Sequence, residues 1–80
     1  MTTGTDVALT VDAKELSCPM PIVKLATGIT EIEIGQVIEV QATDEAFIPD
    51  AEAWCRKTGH ELLNKEEGQD LYRAYIKRTK

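Results

Sequence analysis

Cys18-Pro19-Met20-Pro21-Ile22-Val23-Lys24-Leu25-Ala26-Thr27-Gly28-Ile29 is the stretch that decides the fold. Ile22, Leu25, Ala26 and Ile29 recur at helical spacing. Pro19 suits the first position of that helix, where a missing N–H costs little. Cys18 then falls at the N-cap, facing the positive end of the helix dipole. That field favours the thiolate, the reactive form of cysteine. The two prolines fix the backbone around the sulfur. They also remove donors, so that only Met20 and Ile22 among the first four helical positions have an N–H to offer. Rigid positioning of the thiol is therefore the main role expected of Pro19 and Pro21.

Outward from the helix, the pattern alternates between strand and helix. Val7, Leu9 and Val11 alternate with Ala8, Thr10 and Asp12, which predicts a first strand. Residues 1–5 read as a loose polar tail. The first helix is expected over residues 19–30, with a turn at 31–35. A second strand follows over 37–42, with Ile38, Val40 and Ala42 on one face. Thr43-Asp44-Glu45 breaks it. A second helix is expected over 49–57, opened by Pro49 and closed by Gly59. Ala51, Trp54, Cys55 and Thr58 share one of its faces. A third strand is expected over 61–65, a turn-prone linker over 66–70 and a fourth strand over 71–78.

The order is β-α-β-α-β-β. Helical crossovers make the first three strands parallel, with right-handed connections. A hairpin makes the fourth antiparallel to the third. The expected fold is an α/β two-layer sandwich, a four-stranded mixed sheet with two helices on one face. Its 80 residues form one domain with a modest core.

Composition narrows the function classes. Nine basic residues against 14 acidic ones leave a net charge of −5, which argues against nucleic acid as a direct partner. The basic residues Arg73, Lys77, Arg78 and Lys80 read as a solvated strand face and tail. Two cysteines are too few for a disulfide scaffold, although a Cys18–Cys55 bridge is open in principle. The start of the chain lacks the basic and apolar runs of a signal peptide, and no stretch is apolar enough to span a membrane. A cytoplasmic chain with free thiols is the expectation, with no membrane partner and no need for more than a monomer. Two cysteines and one histidine do not supply a structural zinc site, and no metal or other cofactor is expected.

The residues Asp12-Ala13-Lys14-Glu15-Leu16-Ser17-Cys18-Pro19-Met20-Pro21 resemble the Cys-Pro-x-Pro signature of the TusA (SirA-like) sulfur-carrier family. The later block Trp54-Cys55-Arg56-Lys57-Thr58-Gly59-His60-Glu61-Leu62 is similar to that family's second half. The resemblance spans about Val7 to Lys77. It implies the two-layer sandwich of the C-terminal domain of bacterial translation initiation factor three, with strand four inserted between strands two and three. It implies sulfane sulfur carried as a persulfide on Cys18, with Pro19, Met20 and Pro21 supporting it. The donor would be a cysteine desulfurase or a rhodanese-like protein, and the acceptor another protein. Phe47-Ile48-Pro49-Asp50 looks nearer to members linked to sulfur-compound metabolism and oxidation than to those of tRNA thiolation.

Other side chains read more plainly. Cys55 shares a face with Ala51 and Trp54 and is expected in the core, with a resolving thiol as the alternative. Trp54 is expected over the sheet, with a docking rim as the alternative. His60 suits a polar cap after Gly59. Asp44 and Glu45 suit a turn and helix start. Lys14 and Lys24 flank the motif in sequence and suit steering of an acidic partner. Two rival functions stay open at this point: a non-catalytic interaction or regulatory module, and a Cys18/Cys55 thiol oxidoreductase, which lacks the Cys-x-x-Cys spacing.

Overall fold

Alternation along the central strands decides which side of the sheet is covered. In the computed structural model of the chain, which describes residues 7–17 and 19–80, the order is β1 (Val7–Ala13), α1 (Met20–Ile29), β2 (Val37–Ala42), α2 (Phe47–Thr58), β3 (Glu61–Glu67) and β4 (Tyr72–Lys77). The expectations for residues 1–5 and for Cys18 itself lie outside the described residues. Ile38, Val40 and Ala42 of β2 and Ala74 and Ile76 of β4 are fully buried on one face. Leu25 and Ile29 of α1 and Phe47, Ile48, Ala51 and Cys55 of α2 close over them.

The sheet order is β1-β2-β4-β3. β1 and β2 are parallel, while β4 runs antiparallel to both β2 and β3. Strand four is thus inserted between two and three, as the family resemblance implies. The opposite face is polar. There Glu39 accepts from Gln41 and Tyr75 and pairs with Arg73, which also pairs with Glu66. Such exposed pairs contribute little stability each but leave those charges matched.

The helix starts differ from expectation. Pro19 is the cap of α1 and Met20 its first helical residue, so Pro21 takes the second position. The helix ends at Ile29, where the Thr30 hydroxyl donates to the Thr27 carbonyl at 2.7 Å. Helix α2 begins at Phe47, two residues before Pro49. Asp44 sets this start: its carboxylate accepts from the Ala46 N–H at 3.0 Å and its carbonyl accepts from the Phe47 N–H at 2.9 Å. Pro49 is then the third helical residue, which still needs no N–H partner. Gly59, at φ 90°, closes the helix in the left-handed conformation. Strand β3 runs on through Glu66 and Glu67, which pair with Arg73 and Tyr72. The linker is correspondingly shorter, and β4 begins at Tyr72.

Two backbone positions mark where α1 is held. A Cβ on Gly28 would lie 2.8 Å from Ile38 Cδ1 and 3.1 Å from Val11 Cγ2, so a larger residue there would have to displace these methyl groups. Glu15, just ahead of the cysteine motif, has φ 67°. Its N–H donates to the Thr43 hydroxyl at 2.8 Å, and the Leu16 N–H closes the turn onto the Ala13 carbonyl. A left-handed residue with a Cβ costs about 1–2 kcal/mol, against about 0.5–1 kcal/mol of extra entropy for glycine. Glu15→Gly should therefore raise the melting temperature by a few degrees. A lower melting temperature in that variant would mean that the Glu15 side chain, and not the turn, holds this corner.

Candidate functional site

Pro19, Met20 and Pro21 of the cysteine motif form the start of α1, and the structure gives the two prolines different surroundings. Pro19 is exposed at the cap, while Pro21 is among the largest fully buried side chains. Pro21 anchors the first turn in the core. Met20 between them is 43% exposed. Of the two prolines, one is thus exposed and the other is packed in the core. The donors are also committed: Met20 N–H donates to the Ser17 carbonyl at 2.8 Å, and Ile22 and Val23 N–H both donate to the Pro19 carbonyl at 3.1 Å. What the helix offers the preceding residue is its field. The first turn carries no acidic side chain to compensate that field, so an anion there is favoured.

Cys55 is settled by burial. It is 6% exposed and unbridged, and loss of water pushes its thiol up to about 11. At neutral pH roughly one such thiol in ten thousand is ionised. It packs in the core as expected, with its thiol free.

Trp54 is half-buried at the edge of the core. One side of it packs on the core cluster. It also lines an open groove of about 580 Å³ that runs from Pro19 and Ile22 of α1 to α2. Asp50, Ala53, Trp54 and Lys57 reach this groove from α2, at the i, i+3, i+4 and i+7 positions of one face, and Arg56 joins them. Helix α2 therefore has two working faces. Phe47, Ile48, Ala51 and Cys55 face the sheet, and the 50/53/54/57 row faces the groove. The groove begins at the residue that follows Cys18, a juxtaposition no sequence spacing announces.

His60 does not cap the helix. Its ring stacks on Trp54, with centroids 5.3 Å apart, and its Nδ1 accepts the Thr79 N–H at 3.1 Å. That bond requires an unprotonated Nδ1. Burial, then the charges of Arg78 and Lys80, hold the imidazole below its usual pKa of 6.5. The folded chain thus binds this proton less readily than the unfolded chain. The stability tied to neutral His60 is complete above about pH 6.5 and declines as pH falls through the lowered folded value. Melts of wild type and His60→Gln between about pH 8 and pH 5.5 should converge toward the acid end. A constant gap across that range would remove the linkage.

Lys14 and Lys24 are exposed beside the motif, as a steering role requires. Among the described residues, no cluster of His, Cys, Asp and Glu could hold a metal ion, and no helix is long and apolar enough to cross a membrane.

The sequence model of the family described as Sulfurtransferase TusA matches residues 9–78. The chain belongs to this family. A Halobacterium salinarum relative, named as a candidate sulfur carrier protein, is 41% identical over the whole of both chains. The sulfur carrier protein TusA of Allochromatium vinosum is 33% identical, over 86% of this chain and 91% of its own. The fold matches the crystal structure of a SirA-like protein from Desulfitobacterium hafniense at a TM-score of 0.76. That match covers 90% of this chain and 99% of the other, at 19% identity. The TusA family match, over residues 9–78, takes in the whole cysteine motif and all six strands and helices except the first two residues of β1.

Proposed function

We propose that this chain is a sulfur carrier that holds sulfane sulfur as a persulfide on Cys18, taken from a donor protein and passed to an acceptor protein. The observation that carries the reading is an elimination. The chain has two cysteines, and Cys55 is buried with its thiol near 11, so nucleophilic sulfur chemistry falls to Cys18. The start of α1, free of acidic residues, favours the anion that such chemistry needs. Relatives named for sulfur carriage support the same reading.

The step needs no metal and no separate base. The Cys18 thiolate attacks the outer sulfur of the donor's persulfide, the donor's S–S bond breaks and the donor thiolate leaves. The product is Cys18–S–SH. An acceptor thiolate then attacks that outer sulfur and regenerates the Cys18 thiolate. A cysteine desulfurase or rhodanese-like donor fits this chemistry. The test is a +32 Da mass shift after incubation with a sulfane donor, lost when the thiols are first alkylated under native conditions. A shift that persists after alkylation of Cys18 places the sulfur elsewhere.

The prolines divide the consequences. Pro19→Ala, on the surface, should leave the melting temperature near wild type and slow transfer to a cognate acceptor. Pro21→Ala removes buried carbons and a constraint on the unfolded chain, and should cost about 1–3 kcal/mol. An unchanged transfer rate in both variants would reduce the prolines to helix-start punctuation.

A further inference from the structure

The α1–α2 groove has a polarity that the persulfide reading does not use. Its apolar part is made by Pro19, Ile22, Ala53 and Trp54. Ala53 leaves space where any longer side chain would fill it, and Trp54 gives a rigid wall braced from behind by His60. Arg56 and Lys57, both exposed, also line it, with Asp50 as its one acidic lining residue. Neither forms an ion pair among the described residues, whereas Lys65 pairs with Glu52 and Arg73 with Glu39 and Glu66. Both cations sit in the last turn of α2, where the helix dipole favours them, and that alone would account for their presence. It does not account for their lining a half-apolar groove that starts at the residue after Cys18. In a chain of net charge −5, these two cations, which outnumber Asp50 in the groove, select and orient an acidic partner.

We propose that this groove seats an acidic, apolar-anchored segment of the protein with which the chain exchanges sulfur. Arg56 and Lys57 take its carboxylates, and Ile22, Ala53 and Trp54 take its apolar side chain. The inference rests on Cys18 as the transfer sulfur, because only then does a segment seated here bring its parent protein to the reacting atom. A Trp wall and an Arg at a concave surface are the side chains that most often anchor a protein contact.

Docking can be read without any sulfur chemistry. Trp54 is the only tryptophan in the chain, so intrinsic fluorescence reports the groove directly. The probe is a blocked hexapeptide with one leucine among glutamates, free of Trp and Cys, titrated at low salt into the full chain. The expected result is a saturable change below about 1 mM. The same peptide with lysines for glutamates, or serine for leucine, should bind at least tenfold more weakly. Arg56→Gln with Lys57→Gln should weaken the acidic peptide at least tenfold, and Ala53→Phe should block it. Both variants should still take the +32 Da shift from a small-molecule polysulfide, which needs no docking. Raising the salt should weaken the acidic peptide on wild type, which tests the charge argument without any variant.

The proposal is overturned by equal binding of acidic and basic peptides, or by no saturable response to the acidic one. Saturation by free glutamate at the same concentration would also overturn it, and would make the groove a small-anion site. So would a Trp54 signal that follows self-association on concentrating the protein. Failure of persulfide loading with peptide binding intact would sink the carrier reading and leave the groove as a docking site.

Discussion

Cys18→Ser is expected to lose sulfur loading completely, because a hydroxyl cannot form a persulfide. The +32 Da shift seen for wild type after exposure to a sulfane donor should be absent. The swap changes one atom, and its effect on the melting temperature should be small. Cys55→Ser should behave in the opposite way. It puts a hydroxyl into a core whose buried side chains, among the described residues, include no polar or charged group. The cost is about 1–3 kcal/mol, lowest if the new hydroxyl donates to the Ala51 carbonyl one turn back. For a domain of this size each kcal/mol lowers the melting temperature by about 4–8 °C. Loading should survive in the fraction that stays folded. If instead Cys55→Ser removes the mass shift and leaves the melt unchanged, a two-thiol mechanism replaces the carrier mechanism.

The burial of Cys55 was already legible in the chain. Cys55 lies at helical spacing from Ala51, and helical spacing is what the core enforces. The central strand was equally plain: residues 37–42 alternate because one face of β2 is sealed by helices and the other faces the polar side. What failed were the edges of elements. Proline marks a first turn, not its first residue, because none of the first N–H groups has a helical partner. Pro19 and Pro49 therefore each misplaced a helix start, by one residue forward and two residues back. Strand β3 outran its expected end because pairing with β4 carries Glu66 and Glu67, and cross-strand partners leave no local trace.

The site divides in the same way. The cysteine motif is a contiguous string and could be read directly. The groove is not contiguous. Pro19 and Ile22 come from one helix, Trp54, Arg56 and Lys57 from another, and only the packing of α1 against α2 joins them. His60 found its partner in Thr79, beyond the end of β4, for which no spacing rule exists. The Trp-Cys pair gave a partial signal. Neighbours on a helix point about 100° apart, so Trp54 beside the buried Cys55 lies toward the rim of the core.

Phe47→Ala should be the most damaging single change to the fold. Phe47 is 1% exposed, the largest of the fully buried side chains, and the first residue of α2. It sits where the chain leaves β2 and turns across the sheet, so its ring fixes the entry of the helix that also carries Cys55 and the groove row. Truncating a buried phenylalanine costs about 3–5 kcal/mol, through lost burial and the cavity left behind. A domain with a total stability of roughly 5–15 kcal/mol keeps little after that loss. The measurement is urea unfolding of wild type, Phe47→Ala and Phe47→Leu, followed by Trp54 fluorescence. Phe47→Leu refills most of the space and should retain most of the stability. A loss under about 1 kcal/mol in Phe47→Ala would contradict the burial on which the placement of α2 depends. Because the Asp44 carboxylate holds the same corner through the Ala46 N–H group, combining Phe47→Leu with Asp44→Ala should cost more than the sum of the two changes. A strictly additive pair would mean that the turn and the ring hold α2 independently, and that the direction of its groove face is set by packing alone.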